Sequence, residues 1–502
     1  MYKFLIGIFW SLLCCLAIQA KDYNIVDFGA VPDGITLNTL AIQSTIDQAH
    51  SNQGGRVIIP AGCFLTGSIR LKSNVELHLS ANAVLLGSIR FEDHEKVDGY
   101  YQRSIIMASN QDNISITGTG TIDGQGLESA LRTDSLFTVG LLDMKYYNTD
   151  EDRPRFYIRP MLIVFTKCSN IVVKDIHLKN AASWVQHYDR CVNLVISGMT
   201  VNSDTYWNND GIDISDSKNV HVSNCHFNAA DDGICLKSHY EDYLLEDVLI
   251  ENCSVRSSAS AVKFGTKSLG GFRNVTIKNI KVYDTFRSAV AIESVDGGIL
   301  ENIIIDSIEA TNTGNAIFIK LGHREKDKKV AQLKNVTIKN MKVQVAFKRP
   351  DYDYNMRGPE LDFFHNIFPS SITGIPGHDI ENVRLENIEI IYPGRGHKGL
   401  AYASLSQLDS IPEKAAEYPE FHMFGELPAW GFYIRHVKDL VIENMSLKIE
   451  KPDYRNAFVL DDVKGTTFQN VSILGDNKTH HVVIQNSKEM SIDPSLGPIT
   501  LK

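Results

Sequence analysis

The sequence lacks the features that mark several large classes of protein. Beyond residue 20 it contains no apolar run long enough to cross a bilayer, so we expect no stable membrane insertion. Positive charge is in deficit: 50 lysines and arginines face 60 aspartates and glutamates, and the net charge of -10 argues against nucleic acid as a partner. The eight cysteines include no C-x-x-C pair, the usual spacing of a structural metal site. We therefore expect neither a bound metal nor a cofactor.

The longest apolar run lies at the N-terminus. Residues 1–20 contain Lys3, then an apolar stretch from Phe4 to Ile18, then Ala20. A basic start, a short apolar middle and a small residue at the end predict a secretory signal peptide, and hence a secreted or periplasmic protein. An N-terminal membrane anchor is the alternative, although the run is short for a membrane span.

What the chain has instead is an internal repeat. Asp210-Gly-Ile-Asp-Ile is followed 22 residues later by Asp232-Gly-Ile-Cys-Leu, and in both phrases the apolar residues alternate as they do in a half-buried strand. The phrase continues, at spacings of 28, 28 and 27 residues, in segments that begin at Ser260, Ser288 and Asn315. A period of this length is typical of a solenoid, in which each turn stacks on the last.

A second signature recurs once per turn: an Asn or Asp followed by alternating apolar residues. It occurs at Asn113, Asn170, Asn193, Asn219, Asp247, Asn274, Asn302, Asn335, Asn382, Asp439 and Asn470. The spacings from Asn170 to Asn302 are 23, 26, 28, 27 and 28 residues, which is enough for three short strands per turn. We therefore predict an all-β fold, a right-handed parallel β-helix.

The repeat also predicts the domain organisation. We expect one domain over residues 21–502, with an N-terminal cap over about residues 21–90 that includes a helix from about Asn38 to Ser51. Long insertions interrupt the repeat at about residues 124–160, 349–378 and 393–430. Insertions in a solenoid collect on one face, often the binding face, so we predict that these segments line a cleft.

Three carboxylates come together on this repeat. Asp210 and Asp232 occupy the same position in successive turns and are expected to stack one strand spacing apart, roughly 4.8 Å. Asp231 adds a third carboxylate beside them. Carboxylates crowded in this way repel one another, so the arrangement indicates chemistry or a metal. The alternative is an ordinary Asn/Asp ladder at the turns, without chemistry.

These residues carry a resemblance to a known family. Asn208-Asn209-Asp210 with Asp231-Asp232-Gly-Ile-Cys-Leu-Lys-Ser, set on this repeat, resembles glycoside hydrolase family 28, the polygalacturonases and their relatives. The opening D-F-G-A-V-P-D-G, the segment from Ile116 to Gly126 and Trp184 also resemble that family, and residues 418–436 resemble its branch in gut-type Bacteroidetes. The resemblance implies hydrolysis of a pectic polysaccharide with inversion, with Asp231 as general acid and with Asp210 and Asp232 holding the attacking water.

The residues support the same division of roles. Asp210 and Asp232 form a matched pair that can hold one water, whereas Asp231 is offset by one residue and can face the leaving oxygen. Inverting hydrolysis needs one protonated and one ionised carboxyl, in general about 6.5–9.5 Å apart. Crowding three carboxylates raises at least one pKa, which keeps the acid protonated.

Two departures from the family pattern bear on the substrate. Polygalacturonases carry Gly-His-Gly where this chain has Ala259-Ser260-Ala261, and Arg-Ile-Lys where it has Ala291-Ile292-Glu293. We expect Lys237 and Lys263 to bind a galacturonate carboxylate instead, with Lys320 as a third candidate. Lys237 and Lys263 also flank the carboxylates, where they could offset the repulsion among them. Glu293 would repel a uronate and would bind hydroxyls of a neutral sugar. Together these positions favour rhamnogalacturonan over homogalacturonan.

Three further residues are candidate substrate contacts: Asp213 beside the carboxylates, Asn208 in the motif, and Tyr206, whose ring can stack on a sugar. Two other functions stay open. A β-helix polysaccharide lyase would bind calcium through the clustered carboxylates and use a lysine as base, and its products would absorb in the ultraviolet. A non-catalytic glycan-binding β-helix would use the same cleft for adhesion.

Overall fold

The apolar alternation of the sequence becomes a coil of short parallel strands. The computed structural model describes residues 21–351, 365–398 and 404–501, and the predicted signal peptide, residues 1–20, lies outside them. Within the described residues, thirty-two strands form one continuous sheet that winds around three faces. The right-handed parallel β-helix predicted from the repeat is confirmed.

Helices are few and strands are many in this coil. The helices are α1 (Thr39–Ser51) and α2 (Gly126–Thr138), and short 3-10 turns span Ile25–Phe28, Phe91–Asp93, Met144–Tyr146, Phe156–Ile158, Leu405–Ser410 and Pro494–Leu496. The strands of the first half are β1 (Asp22–Asn24), β2 (Asp33–Leu37), β3 (Gly55–Ile59), β4 (Gly62–Thr66), β5 (Ile69–Arg70), β6 (Val75–Leu79), β7 (Ala83–Gly87), β8 (Ser104–Ser109), β9 (Asp112–Gly118), β10 (Thr121–Asp123), β11 (Tyr147–Asn148), β12 (Arg153–Pro154), β13 (Met161–Thr166), β14 (Ser169–Lys174), β15 (His177–Lys179), β16 (Gln186–Asp189), β17 (Val192–Ser197), β18 (Thr200–Ser203), β19 (Ile212–Ser215), β20 (Lys218–Ser223), β21 (His226–Ala229) and β22 (Ile234–Ser238). Those of the second half are β23 (Leu245–Ser257), β24 (Val262–Ser268), β25 (Gly271–Ser294), β26 (Ile299–Leu321), β27 (Gln332–Val345), β28 (Ser370–Thr373), β29 (Ile380–Gly394), β30 (Ala429–Lys451), β31 (Asn456–Leu474), β32 (Val482–Gln485), β33 (Lys488–Ile492) and β34 (Thr500–Leu501).

Each face of the coil is a stack of parallel strands. Face A contains β5, β8, β13, β16, β19, β22, β24, β28, β32 and β34; face B contains β1, β3, β6, β9, β14, β17, β20 and β33; face C contains β2, β4, β7, β10, β15, β18 and β21. From β23 onward most strands run round a corner, so that one strand serves two faces. The short antiparallel pair β11–β12 stands apart from the coil.

The interior is a ladder of buried aliphatic side chains. On face A, Ile212 lies beside Ile234, Ile234 beside Val262, and Val262 beside Val290. All four are fully buried, and burying one such side chain stabilises the fold by about 1.5–3 kcal/mol. The same stacking repeats on every face, so the core extends along the coil axis.

Asparagine ladders hold two corners of the coil. At the corner between faces A and B, Asn302 has a left-handed backbone (φ 58°), donates from its side chain to Asn274 (3.1 Å), and accepts from Asn335 (3.1 Å). Asn tolerates this conformation better than most residues and its amide stacks on the next turn. The sequence pattern predicts Asn470 as a member of the same ladder, and this prediction is wrong. Asn470 lies at the corner between faces B and C, where its side chain donates to Asn444. The pattern of Asn or Asp followed by alternating apolar residues therefore indicates a corner of the coil but does not distinguish between the two corners.

We expect this ladder to contribute measurably to stability. Asn302→Ala forces an ordinary residue into the left-handed region, at a cost of about 1–2 kcal/mol, and removes two hydrogen bonds worth about 1 kcal/mol each. Asn302→Gly loses the bonds but not the backbone conformation, so its thermal midpoint is expected to fall less. Thermal melts of the two variants, beside exposed Lys342→Ala as control, check this, and equal losses would show that the backbone conformation contributes nothing.

The predicted N-terminal cap already contains strands of the coil. Helix α1 matches the helix expected from about Asn38 to Ser51. Strands β1 and β2 stack on β3 and β4, and β3, β4 and β5 stack on β6, β7 and β8. No described helix has the length and apolar character that crossing a bilayer requires.

All three insertions leave the coil at the same corner, between face C and face A. Residues 124–160 connect β10 to β13, residues 346–369 connect β27 to β28, and residues 395–428 connect β29 to β30. In the described part of the chain, all three predicted insertions therefore leave and re-enter the coil at this one corner. We call residues 404–428 the covering segment, because its apolar side chains pack on outward-facing residues of face A, Tyr433 and Val459 among them.

Candidate active site

The column predicted from the repeat is present at the start of face A. Its members are Asp210, Asp232, Ser260, Ser288 and Asn315. The backbone N–H of Gly211 donates to the carbonyl of Asp232 (2.9 Å), and that of Gly233 donates to the carbonyl of Ser260 (2.8 Å). Asp210 and Asp232 therefore lie on neighbouring turns in the same position, at the corner where the insertions emerge.

Three acidic side chains converge here, and we call Asp210, Asp231 and Asp232 the carboxylate cluster. One oxygen of each lies within 4.8 Å of the others. Asp210 and Asp232 are buried, whereas Asp231 is half-buried and lies nearest the solvent. The cluster thus has two members beneath the surface and one member in the open cleft.

Asp232 is held as an anion. The ammonium of Lys263 lies 3.1 Å from its Oδ2, and the backbone N–H of Ser260 donates to its Oδ1 (3.1 Å). Burial opposes ionisation, but Lys263, Arg287 and Lys237 together hold the pKa of Asp232 below its usual value. Lys263 is only 1% exposed, so this ion pair is largely withdrawn from water.

Asp210 lies in a different electrostatic environment. Burial, reinforced by the charges of Asp213 and Asp231, raises the pKa of Asp210 well above its usual value. Lys237 lies 3.4 Å from Asp210 and in shorter contact with Asp213, so the two carboxylates share one ammonium. Burial raises the pKa of Asp213 to about 6. Two carboxylates in equivalent positions of the repeat, Asp210 and Asp232, therefore differ in their affinity for a proton.

Asp231 is positioned by amide groups. Its Oδ2 accepts a hydrogen bond from the side chain of Asn208 (3.3 Å), and its Oδ1 accepts from the backbone N–H of Asp232 (2.9 Å). Asn208 is fixed in turn by the guanidinium of Arg159, which donates to its Oδ1 (2.8 Å). Tyr206 is also buried, and the guanidinium of Arg159 lies 5.5 Å from the centroid of its ring.

Glu293 lies under the cleft, close to Lys263. It is buried, accepts from the hydroxyl of Thr266 (3.2 Å), and lies beside Lys320 on the next turn. Burial raises the pKa of Glu293 to about 8, so that it is mainly neutral at pH 7. The expectation that Glu293 repels a uronate therefore loses its basis at neutral pH, because a protonated carboxyl donates and accepts hydrogen bonds.

Comparison with known proteins identifies the family of this chain. The family model for glycosyl hydrolases family 28 matches residues 50–347, more than half of the chain. The chain belongs to glycosyl hydrolases family 28. The match includes the carboxylate cluster and ends before the covering segment.

Individual relatives of this family 28 chain are distant. It is 27% identical to a probable polygalacturonase of Vitis vinifera, over 66% of the chain and 63% of that protein, so it spans less than two thirds of that relative's length. It is 25% identical to an exo-poly-alpha-D-galacturonosidase of Dickeya chrysanthemi, over 73% of the chain and 71% of that protein. A family 28 exopolygalacturonase of Yersinia enterocolitica has the same fold, with a TM-score of 0.61 at 19% identity over 96% of the chain and 79% of that structure.

Most of the substrate contacts predicted for this family 28 chain are buried. They are Asp213, Lys237, Lys263, Glu293 and Tyr206, whereas Asn208 is half-buried. The lysines pair with the carboxylates, and Lys320 donates to the backbone carbonyl of Glu413 (3.0 Å). The role of these residues as substrate ligands stays a prediction. The structure shows that Lys237 and Lys263 form ion pairs with the buried carboxylates.

Sequence reasoning missed Arg287, a third cation whose charge acts on the cluster. Arg287 occupies the position of Asp231 two turns further on, and its guanidinium lies 2.7 Å from Glu420 of the covering segment. The repeat itself carried this signal, because Arg287 directly precedes Ser288 of the column. Nothing in the repeat could have placed Glu420 or Tyr418, whose hydroxyl lies 3.2 Å from Lys263.

The carboxylate cluster has the donor atoms for a divalent cation, but its surroundings oppose one. Lys263 pairs with Asp232, Lys237 with Asp210, and the charge of Arg287 acts on Asp231 and Asp232. Three cations at these positions already offset the carboxylates. A calcium ion would meet their repulsion, which disfavours a calcium-dependent lyase.

Proposed function

We propose that this protein is an exported, inverting glycoside hydrolase that cleaves α-glycosidic bonds of a galacturonate-containing pectic polysaccharide. The observation that carries the proposal is the carboxylate cluster itself: Asp210 and Asp232 are buried in equivalent positions and differ in their affinity for a proton, and Asp231 lies beside them nearest the solvent. Family membership and the galacturonan-cleaving activities in the names of its relatives support the substrate class.

In the proposed reaction Asp231 is the general acid. It gives its proton to the glycosidic oxygen as the bond between that oxygen and the anomeric carbon breaks. A water held by Asp232 and Asp210 attacks the anomeric carbon and loses its proton to Asp232. Lys263 keeps Asp232 ionised beforehand, and the Asn208 amide holds the Asp231 carboxyl toward the cleft.

Inversion and retention make different demands on the carboxylates. Inverting enzymes in general keep their carboxyls about 6.5–9.5 Å apart to admit a water, and retaining enzymes about 5–5.5 Å. Retention also requires a carboxylate that is free to attack carbon. Asp232 is engaged by Lys263 and by the Ser260 N–H, which suits a base that activates water better than a nucleophile.

We expect the first product to have the inverted configuration. An α-linked substrate is expected to release a β-configured reducing end, visible by proton NMR before mutarotation. Boiled enzyme with the same substrate is the control. An α-configured product would contradict inversion and identify a retaining mechanism, and an ultraviolet-absorbing unsaturated sugar would identify a lyase.

For the substrate we propose rhamnogalacturonan in preference to homogalacturonan. The two positions that carry Arg and Lys in polygalacturonases offer no cation to a uronate here. Ala291 is covered by a buried aromatic group of Phe318, Phe368 and Phe421, and Glu293 is neutral near pH 7. An apolar wall beside a neutral hydrogen-bonding group suits a neutral sugar next to the galacturonate, because an unpaired carboxylate is costly there.

The preference is testable with matched polymers. We expect a higher kcat/KM on rhamnogalacturonan and its oligosaccharides than on homogalacturonan of equal chain length. Faster hydrolysis of homogalacturonan by the wild type would overturn the preference while leaving hydrolysis itself intact.

Export is the last part of the proposal, and it rests on the N-terminal sequence alone. If residues 1–20 act as a signal peptide, the protein recovered outside the cytoplasm of its producing cell begins at Lys21. N-terminal sequencing of that material decides it. A mature protein that retains Met1 would contradict export through a cleaved signal.

A further inference from the structure

One aromatic side chain stands exposed directly beside the carboxylate cluster. Tyr418 is 52% exposed, yet its hydroxyl is anchored 3.2 Å from the ammonium of Lys263, the same ammonium that lies 3.1 Å from Asp232. A single ammonium therefore connects the edge of the tyrosine ring to a member of the cluster. The exposed half of the residue meets solvent beside this ion pair.

The covering segment holds Tyr418 in this place from both sides. Two residues further on, Glu420 forms an ion pair with Arg287 (2.7 Å). Five residues earlier, Glu413 forms an ion pair with Arg435 (2.9 Å), and its backbone carbonyl accepts from Lys320 (3.0 Å). Because these contacts fix the backbone on either side, the ring is ordered before any ligand arrives.

The neighbours of the ring define which part of the cleft it serves. Besides Lys263, whose ammonium is 5.2 Å from the ring centroid, the guanidinium of Arg324 lies 5.9 Å from that centroid. Lys263 is on β24 and Arg324 follows β26, so the ring spans the turns just C-terminal to Asp232. It does not lie over the turns of Asp210 or Trp184.

We propose that Tyr418 is a stacking platform for the sugar ring that binds on the C-terminal side of Asp232. The inference rests on the proposed function, since it takes the ligand to be a pyranose of the polysaccharide. A pyranose presents C–H groups on one face, and these pack against the electron-rich face of an aromatic ring. A tyrosine loses little conformational freedom on binding, so a pre-ordered ring provides contact area at low entropic cost.

The alternative role for Tyr418 is positional: its hydroxyl could serve only to orient Lys263. Two substitutions separate the roles. Tyr418→Phe keeps the ring and removes the hydroxyl, whereas Tyr418→Ala removes both. For stacking we expect Tyr418→Ala to raise KM about tenfold or more with kcat changed less than about threefold, and Tyr418→Phe to stay near wild type.

A second exposed tyrosine provides the matched control. Tyr101→Ala is expected to leave KM unchanged, and thermal melts check that all variants fold. If kcat falls equally in Tyr418→Phe and Tyr418→Ala, the hydroxyl serves to orient Lys263 and the proposal of a stacking platform is wrong. An unchanged KM in Tyr418→Ala would also overturn it.

A binding measurement separates this inference from the proposed function. In the Asp231→Asn background, titration calorimetry with rhamnogalacturonan oligosaccharides is expected to show affinity about tenfold weaker when Tyr418→Ala is added. If the wild type hydrolyses no pectic polymer but this difference persists, the proposed hydrolysis fails and the platform stands. If hydrolysis is normal and affinity is unchanged, the platform fails alone.

Discussion

Asp231→Asn is expected to lower kcat on pectic polymer by on the order of 10²–10⁴-fold, which is the usual contribution of a general acid. Asparagine has the same shape but carries no proton to give to the leaving oxygen. The fold is expected to persist with a thermal midpoint near that of the wild type, because asparagine is uncharged like the protonated acid and its Oδ1 still accepts from the N–H of Asp232.

A comparison of two substrates identifies the role of Asp231. An activated aryl glycoside has a leaving group that needs little protonation, so its hydrolysis is expected to suffer much less than that of the polymer. Asp242→Asn, the same substitution at an exposed residue, is the matched control. Equal losses on both substrates would assign Asp231 another role, and full activity would remove it from the mechanism.

Lys263→Met is expected to act on both stability and the pH profile. Removing one partner of a buried ion pair costs about 3–5 kcal/mol, because Asp232 is left charged and unpaired. Lys263 holds the pKa of Asp232 down, so its loss raises that pKa. On the acidic limb of the pH profile, kcat/KM falls because the base Asp232 becomes protonated. This limb is therefore expected to move to higher pH.

The stability change has a defined sign with pH. A carboxyl whose pKa is depressed by folding stabilises the protein above its unfolded pKa, and this contribution is lost as pH falls through the folded value. The stability gap between wild type and Lys263→Met is therefore expected to narrow in acid. Lys320→Met, at an equally buried lysine that donates to a backbone carbonyl, is the control, and its acidic limb is expected to stay in place. An unshifted limb in Lys263→Met would show that Lys263 does not set the ionisation of Asp232.

The coil could be predicted from the sequence because the same phrase recurs at intervals of 22–28 residues. Alternation fixes which side chains point inward, and the 22-residue interval between Asp210 and Asp232 fixes which residues stack. The same logic placed the column through Ser260, Ser288 and Asn315. It failed for Asn470, since the corner signature is identical at two corners of the triangle.

The supporting charges of the site could not be predicted in the same way. Periodicity shows that Lys263 faces outward, but whether its ammonium meets a substrate or Asp232 depends on side-chain length and on what covers it. Glu420 and Tyr418 belong to an insertion without a repeat, so no register ties them to the turns that they contact. The carboxylates and the two flanking lysines were therefore predictable, whereas the contacts from the covering segment were not.

The winding of the chain has a kinetic consequence. Each turn pairs with the turns before and after it, and the paired residues are far apart in the chain, as Asp213 is from Cys235 and Val383 from Leu440. Strand pairing is therefore non-local, and folding is expected to be slow.

Unfolding is expected to begin at the two ends of the stack, because a terminal turn is stabilised by a neighbouring turn on one side only. The carboxylate cluster lies many turns from either end. Heating or protease is therefore expected to shorten the coil from its ends while the cleft still works, so that loss of activity lags behind the first loss of structure.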